Sequence, residues 1–461
     1  MTCQADGLPK TALGVVVFTR DLRVRDHPAL TAAIAQSEQI VPLFVFDDDV
    51  IARRAVGPNR WQFLLDSLQS LDVSLRERGS LLMFRRGRWI DEVVRLVRAV
   101  DAQAVYLSDD HSALAKRRLM ALQQASREHR FRVHAHAGIT VVPPANSRTQ
   151  TGGDYKVFTP YYRSWLAASW RPVCAPAEHI DSPSTVDAGS LPQLHELTGG
   201  RASPRLARGG EVEGLAALRA WAPGLPGYDD VHNDLAADAT SRCAPYLHFG
   251  CLSPLEVASR LRDRDGSAPF VRQLCWRDFF HQVLDVDPTR AWRDVRPRGD
   301  QWDHDDESFS AWAEGRTGYP VVDAGMRQLS AEGFMHNRAR MIVASFLTKD
   351  LYQDWRRGAA HFASLLADAD VACNQLNWQW VAGTGNDPNA FRVFNPTLQG
   401  RRFDPRGEYI RRYVPELRDV TTAEIHDPTP LVRHAAGYPG PIVDHREALI
   451  LYRARRRGPV R

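Results

Sequence analysis

A change of period partway along the chain restricts the fold more than any other feature. From Gly14 to about Ala135, short apolar runs rich in Val, Leu and Phe (14–19, 40–46, 81–84, 104–107 and 131–134) alternate with segments of helical character. Consecutive runs joined by helix-length crossovers predict a doubly wound parallel sheet with helices on both faces, an α/β domain. From about Leu235 onward β-branched runs become scarce. Amphipathic stretches at 270–284, 309–315, 321–332 and 337–351 take over, and predict an all-α domain. Between Pro143 and Gly227 the text is rich in Pro, Gly, Ala and Ser. It reads as a long surface connector, anchored by islands such as Tyr155-Lys-Val-Phe-Thr-Pro. The expected organisation is an α/β domain over 12–140, a connector over 141–227 and a helical domain over 228–461.

Composition narrows the function classes. Six scattered cysteines without a CxxC pair suggest neither a zinc site nor a disulfide framework, and fit reduced thiols in a cytosol. There is no signal-peptide pattern at the start and no run of 18 apolar residues, so a soluble intracellular protein without a membrane partner is expected. A net charge of +4 is too mild to demonstrate a polyanion partner; only a local basic surface would. The first apolar run is not followed by GxGxxG, so no nucleotide can be placed there by that fingerprint. The terminal Arg-Ala-Arg-Arg-Arg reads as a solvated or frayed tail. Twelve tryptophans are the anomaly.

Chemistry-bearing residues concentrate in the second half. Asp368-Ala-Asp370-Val-Ala-Cys-Asn374-Gln-Leu-Asn-Trp378-Gln-Trp380 crowds carboxylates, amides and indoles together. Asp368 and Asp370, two apart, face different ways on a helix, which predicts separate partners, with Arg338 or Arg340 as a mate. Plain helix caps and core indoles account for the same spacing. In Gln273-Leu-Cys-Trp276-Arg277-Asp-Phe-Phe280 helical spacing puts Gln273, Trp276 and Phe280 on one face, and Asn337 and Met341 share another. A flat ring, amides and a thioether suit a pocket for an extruded base pair, and suit an ordinary packing seam equally well. Arg338, Arg392, Arg401, Arg402, Arg411 and Arg412, interleaved with Trp380, Phe391, Phe394 and Tyr413, mix basic and aromatic residues as phosphate clamping with base stacking requires. A solvated arginine face is the commoner explanation for any one of them.

Read together, Gly318-Tyr-Pro-Val-Val-Asp-Ala-Gly-Met-Arg-Gln-Leu, His336-Asn337, Ser345-Phe-Leu-Thr-Lys-Asp-Leu, Asn374 through Trp380, Phe394-Asn-Pro-Thr-Leu-Gln-Gly and the opening Val16-Val-Phe-Thr-Arg-Asp-Leu-Arg-Val-Arg-Asp-His-Pro resemble the photolyase/cryptochrome family over essentially the whole chain. Class I enzymes that repair cyclobutane pyrimidine dimers are the most similar branch. The resemblance implies FAD, held by Tyr228, Thr240, Ser241, Arg242, Arg277, Arg340, Asp368, Asp370 and Asn374. Ala244 stands where the family usually has serine. Asn374 falls on the residue facing the flavin, where asparagine favours repair over signalling. Trp378, Trp355 and Trp302 fall on an electron-hopping chain. Gln273, Trp276, Asn337, Met341 and Trp380 fall on the lesion pocket, with Arg338 and Arg392 beside the substrate.

The same resemblance implies a monomer that acts on UV-damaged DNA, splitting a flipped dimer by electron transfer from photoexcited reduced FAD, without a metal. An antenna chromophore (deazaflavin, folate or flavin) in the first domain is family-typical, although the Asn-Glu pair of a folate site is absent around Asp109-Asp110. Gln273 replaces the usual Glu of dimer enzymes and resembles (6-4) photolyases. Those carry His where this chain has Asn337 and Met341, and the scattered cysteines lack the iron–sulfur pattern of the bacterial branch. Dimer repair therefore stands first, ahead of a cryptochrome-type photoreceptor, a (6-4) enzyme and a light-independent nucleic-acid binding module.

Overall fold

A computed structural model describes residues 10–53, 56–149, 151–184 and 186–457; Cys3 lies outside them. The five apolar runs form the strands β1 (Thr11–Val17), β2 (Ser37–Asp47), β3 (Met83–Gly87), β4 (Ala104–Asp109) and β5 (Arg132–Ala137). They pair in parallel in the order β3-β2-β1-β4-β5, with Val15 opposite Val41 on one side and Val105 on the other. Valines such as these bury both faces of the central strands, and helices including Pro58–Arg76, Trp89–Ala99 and Ala113–His129 make the crossovers.

The chain divides into two compact units at places other than the expected boundaries. Of the described residues, one unit contains those up to Arg201, with Arg208–Pro226 and Ser241–Thr289; the other contains Ala202–Ala207, Gly227–Thr240 and those from Arg290 onward. Helices placed by sequence in the second domain thus belong to the compact unit that contains the sheet. The reason is a set of buried polar ties. The guanidinium of Arg23, only 1% exposed, donates to the carbonyls of Asp26, Gly138 and Gly250. A cation taken out of water must find such acceptors, so the loop after β1 fixes distant segments. The connector contains the helix α1 (Phe158–Ala167), and α2 (Ala268–Val286) packs against it.

The second unit is helical among its described residues. Its main elements are α3 (Pro320–Glu332), α4 (Asn337–Ser345), α5 (Trp355–Leu365), α6 (Val371–Ala382), α7 (Pro396–Phe403) and α8 (His445–Arg457). Helices α3 to α6 share an apolar cluster that includes Trp312, Ile342, Phe346, Trp355, Phe362 and Trp378. The arginine-rich end is no frayed tail. It continues α8, where Arg456 is buried against Asp300 and Arg455 pairs with Asp303 at 2.7 Å. No helix among the described residues is long and apolar enough to cross a membrane.

Candidate functional site

In the first unit, Gln273 is exposed and Trp276 half-buried on the same side of α2. The Trp276 indole lies flat on Phe158, with ring centroids 3.6 Å apart and planes 3° from parallel. Tyr162, one turn along α1, is nearly parallel to Phe158, and the Arg272 guanidinium lies over both rings at 5.4 and 5.6 Å. Phe158, Tyr162 and Arg272 were missed by the sequence reading, although the i, i+4 spacing of Phe158 and Tyr162 carried the signal. The buried Asp278 fastens α2 from behind. Its Oδ2 accepts from the amides of Val141 and Val142 and from the Trp165 indole, at 2.9, 3.0 and 2.9 Å. Burial pushes its carboxyl up to about 6, against the pull of Arg277 and those donors. Arg277, expected at the cofactor, donates to the carbonyls of Ile139 and Leu247 and sits 3.7 Å from Asp278; it braces this unit. Arg242 holds a left-handed backbone (φ 49°), and Ser241 Oγ accepts from the amide of Cys243 at 3.4 Å.

The same unit has a cavity of about 240 Å³ at the carboxyl ends of β1, β2 and β4, where a doubly wound sheet places its ligand. Phe46, Trp61, Trp89 and Phe249 wall it, and Asp109, Arg60 and Arg118 supply charge. Burial lowers the Arg60 guanidinium to about 10. The strand rhythm indicated the sheet, but a cavity lined by residues from this many segments cannot be read from one of them.

In the second unit, Arg340 and Asp368 meet as expected. Nη2 donates to Oδ2 at 2.9 Å, while Nε donates to the Met335 carbonyl at 2.8 Å. Asp368 Oδ1 is buried and has no hydrogen-bond partner. Asp370 goes its separate way as the N-cap of α6, accepting from the Cys373 amide at 2.9 Å. Asn374, in the first turn, donates Nδ2 to the Ala359 carbonyl at 3.0 Å. Tyr228 is buried, and Thr240 Oγ1 is a second buried polar atom without a partner. Unmatched buried oxygens are costly, and two of them on residues expected to hold FAD fit a cofactor that offers a donor to one and an acceptor to the other.

Trp378 and Trp355 belong to the apolar cluster of this unit, and the partly buried Trp302 packs against it. Trp378 rests edge-on against Phe362 (4.9 Å) and Trp312 (6.1 Å), the latter a fourth indole that sequence reading passed over. Gly358, one turn after Trp355 in α5, lies directly under the Trp378 ring, and a methyl there would overlap it. Trp355 is fully buried and donates Nε1 to Asp294 at 2.8 Å. Trp302 is half-buried against Tyr352, with centroids 5.0 Å apart.

Only part of the expected basic–aromatic region forms. Arg392 lies over the half-buried Trp380 at 5.1 Å, beside the exposed Phe391. Arg338 and Arg402 flank Phe403 at 4.3 and 5.0 Å, and Arg338 also donates to Asn233 Oδ1. Burial, with the charges of Arg402 and Arg392 adding to it, lowers the pKa of Arg338. Mutual repulsion of that kind marks positive charge that an anion would relieve. Arg411 instead donates to the Arg418 and Val420 carbonyls, Arg412 to that of Ala236, and Tyr413 is buried with its hydroxyl donating to Glu332. Asn337 is exposed and Met341 half-buried on the first turns of α4. The neighbouring His336 is buried as the cap of that helix, its Nδ1 accepting from the Arg338 amide.

Comparison with known proteins agrees with both halves of this description. Residues 14–178 match the model of the DNA photolyase domain, and residues 270–456 match that of the FAD binding domain of DNA photolyase. The deoxyribodipyrimidine photo-lyase of Streptomyces griseus is 46% identical over 445 residues, covering 95% of this chain and 97% of its own. Among solved structures, a class III photolyase from Agrobacterium tumefaciens superposes with a TM-score of 0.89 at 33% identity, covering 98% of each chain. An archaeal photolyase from Sulfolobus tokodaii with two FAD molecules gives 0.86 at 31% identity, covering 96% of this chain and 99% of its own. With matches that take in both halves and run nearly end to end, this chain belongs to the DNA photolyase family.

Proposed function

We propose that the protein uses light to split cyclobutane pyrimidine dimers in UV-damaged DNA, acting as a monomer in the cytosol. The observation that carries this reading is the 46% identity, over 95% of the chain, to a relative named for that reaction. Five described cysteines, all free, accord with a reducing compartment. FAD, when bound, supplies the light-absorbing electron donor. The chain's part is to hold, orient and shield. Asp368, pinned by Arg340, offers a charged acceptor through Oδ1, and Thr240 offers a hydroxyl. Asn374 brings an uncharged amide to the same helix end. Trp276, already clamped flat against Phe158, loses little freedom when a base stacks on it, and that pre-organisation favours a stacking role. Gln273 supplies an amide able to hydrogen-bond a thymine edge without a carboxylate. Arg338, Arg392 and Arg402 supply the positive surface for a phosphate backbone. The aromatic cavity of the first unit suits an antenna chromophore with an acceptor edge for Arg60.

Dimer repair is preferred to (6-4) repair because the latter needs an imidazole to move a proton. Asn337 and Met341 offer none, and the imidazole of His336 is committed to its helix cap. The test is direct. FAD-loaded, reduced protein under near-ultraviolet light should restore the base absorbance of UV-irradiated oligothymidine and leave a (6-4)-containing oligonucleotide unrepaired. The converse result would overturn the assignment and identify Gln273 as the telling residue. Repair of neither lesion, with light-dependent partner binding alone, would establish a photoreceptor instead.

A further inference from the structure

Beyond Trp302 the second unit continues in a direction that the electron-hopping reading does not use. Asp300 and Trp302 are two apart, and both reach the same residue. The Tyr352 ring lies 5.0 Å from that of Trp302, and its hydroxyl donates to Asp300 Oδ1 at 2.9 Å. Tyr352 is buried, only 5% exposed. Its φ of 50° puts a bulky side chain in the left-handed region, which such residues rarely occupy. The surroundings enforce it: the Tyr352 carbonyl accepts from the Asp303 amide at 2.9 Å, next to a bridge between Asp303 and Gln353. Strain held this firmly points to a use. Asp300 Oδ2 is buried without a partner, and the Arg456 guanidinium lies 5.9 Å over the Trp302 ring.

We propose that Tyr352 is the terminal electron donor of this unit, passing an electron to oxidised Trp302 and its phenolic proton to Asp300. The step rests on the reading in which Trp378, Trp355 and Trp302 carry electrons inward to photoexcited flavin. Its oxidant is the one-electron-oxidised indole left at Trp302. That indole gains one electron and becomes neutral, Tyr352 loses one electron and becomes a neutral phenoxyl radical, and Asp300 gains the proton, so local charge is conserved. Geometry and charge favour each part. A phenol gives up an electron most readily when its proton has somewhere to go, and Asp300 is already the acceptor. Burial and this hydrogen bond raise the ordinary pKa of Tyr352, so the proton stays on the phenol until the electron leaves. The Arg456 cation disfavours a positive charge on the Trp302 ring and has no such effect on a neutral phenoxyl radical. Arg456 also pairs with Asp300, fixing the acceptor in place.

The experiment is a blue flash on protein loaded with oxidised FAD, with transient electron paramagnetic resonance to identify the radicals. In the unaltered protein a tyrosyl signal should rise as the tryptophanyl signal decays, more slowly in deuterated water because a proton moves. Tyr352→Phe should abolish the tyrosyl signal, leave the tryptophanyl signal to return directly to the flavin, and retain FAD. Asp300→Asn should do the same with the tyrosine present. Should the loss of the buried Arg456 pair prevent that variant from folding, the solvent isotope effect on the unaltered protein tests the proton step alone. A tryptophanyl signal without any tyrosyl signal, or a tyrosyl signal that survives Tyr352→Phe, overturns the role of Tyr352 and leaves the tryptophan chain standing. Absence of any tryptophanyl signal, with photoreduction undiminished in Trp378→Phe, overturns the chain itself and this step with it.

Discussion

The unmatched oxygen of Asp368 gives the sharpest quantitative test of the cofactor assignment. In the protein alone, Oδ2 is used by Arg340 and Oδ1 is buried with nothing to accept. A hydrogen bond to a charged group contributes about 1.5–3 kcal/mol. If FAD supplies that missing donor, Asp368→Asn should weaken FAD binding by about 10- to 100-fold, at about 1.4 kcal/mol per decade. An amide keeps the shape but carries half the acceptors and less charge. The effect on the flavin-free fold should be smaller. An amide oxygen can still accept from Arg340, which also keeps the Met335 carbonyl, so what this pair loses is the charge and not the hydrogen bond. Titration of flavin-free protein with FAD, read by quenching of flavin fluorescence and paired with thermal unfolding of the same sample, separates the two. Unchanged FAD affinity in Asp368→Asn, or a loss of affinity no larger than the loss of stability, would show that Oδ1 does not face the cofactor.

Gly358→Ala puts a methyl into the Trp378 ring; photoreduction of oxidised FAD under blue light should fall, as is expected of Trp378→Phe, while repair by chemically reduced protein persists, and an unchanged photoreduction yield in both variants would remove Trp378 from the path. For DNA binding, Arg392→Ala and Arg402→Ala should each lower the slope of log affinity against log salt by about 0.7–0.9, measured by fluorescence anisotropy. Arg411→Ala should leave the slope unchanged because its donors are spent on backbone carbonyls; equal slopes in all three would refute the placement. Asp278 sets a pH dependence: its folded value of about 6 lies above the unfolded value of about 3.9, so the folded state binds the proton more tightly and stability falls as pH rises between those values, then levels. Denaturant unfolding at pH 4 and 7 should show Asp278→Asn to have lost about 2–3 kcal/mol of that dependence; parallel curves for the two proteins would contradict it.

The parts of the molecule that were legible in the sequence are those set by local periodicity. Alternating apolar runs predicted all five strands, with β4 beginning at Ala104 as expected, and the period of 321–332 predicted α3 within one residue. Asp368 and Asp370 do have separate partners, Arg340 and the start of α6, but not for the expected reason, because Asp368 lies in the turn before that helix and Asp370 is its cap. What local pattern could not convey was long-range polar bonding. Arg23 and Asp278 tie the connector and α2 into the unit that contains the sheet, and neither announces its partners from 115 or 137 residues away. The terminal arginines misled for a related reason. A charge run usually stays in solvent, but Asp300 and Asp303 supply matching carboxylates, so α8 docks. The basic–aromatic stretch at 392–413 mixed two kinds of arginine whose fates differ by what their donors reach.

The charges beside the three proposed electron carriers differ in a way that bears on direction. Trp378 has aromatic neighbours, Phe362 and Trp312, and these give a positive charge on its ring no ionic support. Trp355 donates its indole N–H to a carboxylate, Asp294, at 2.8 Å, and that acceptor stabilises the ring when it is oxidised. The Arg356 guanidinium over the same ring works the other way, but it is itself paired with Asp294 and Asp354, which mutes it. On the proposed path a positive charge is therefore favoured on Trp355 over Trp378. Trp302 is half-buried, so solvent can support a charge there, while Arg456 opposes one. At Trp302 these two effects oppose each other, and on the proposed path Tyr352 with Asp300 takes over the oxidation there as a neutral radical. An outward-falling path that ends on a neutral radical slows return to the flavin, because the way back requires the proton on Asp300 to move as well.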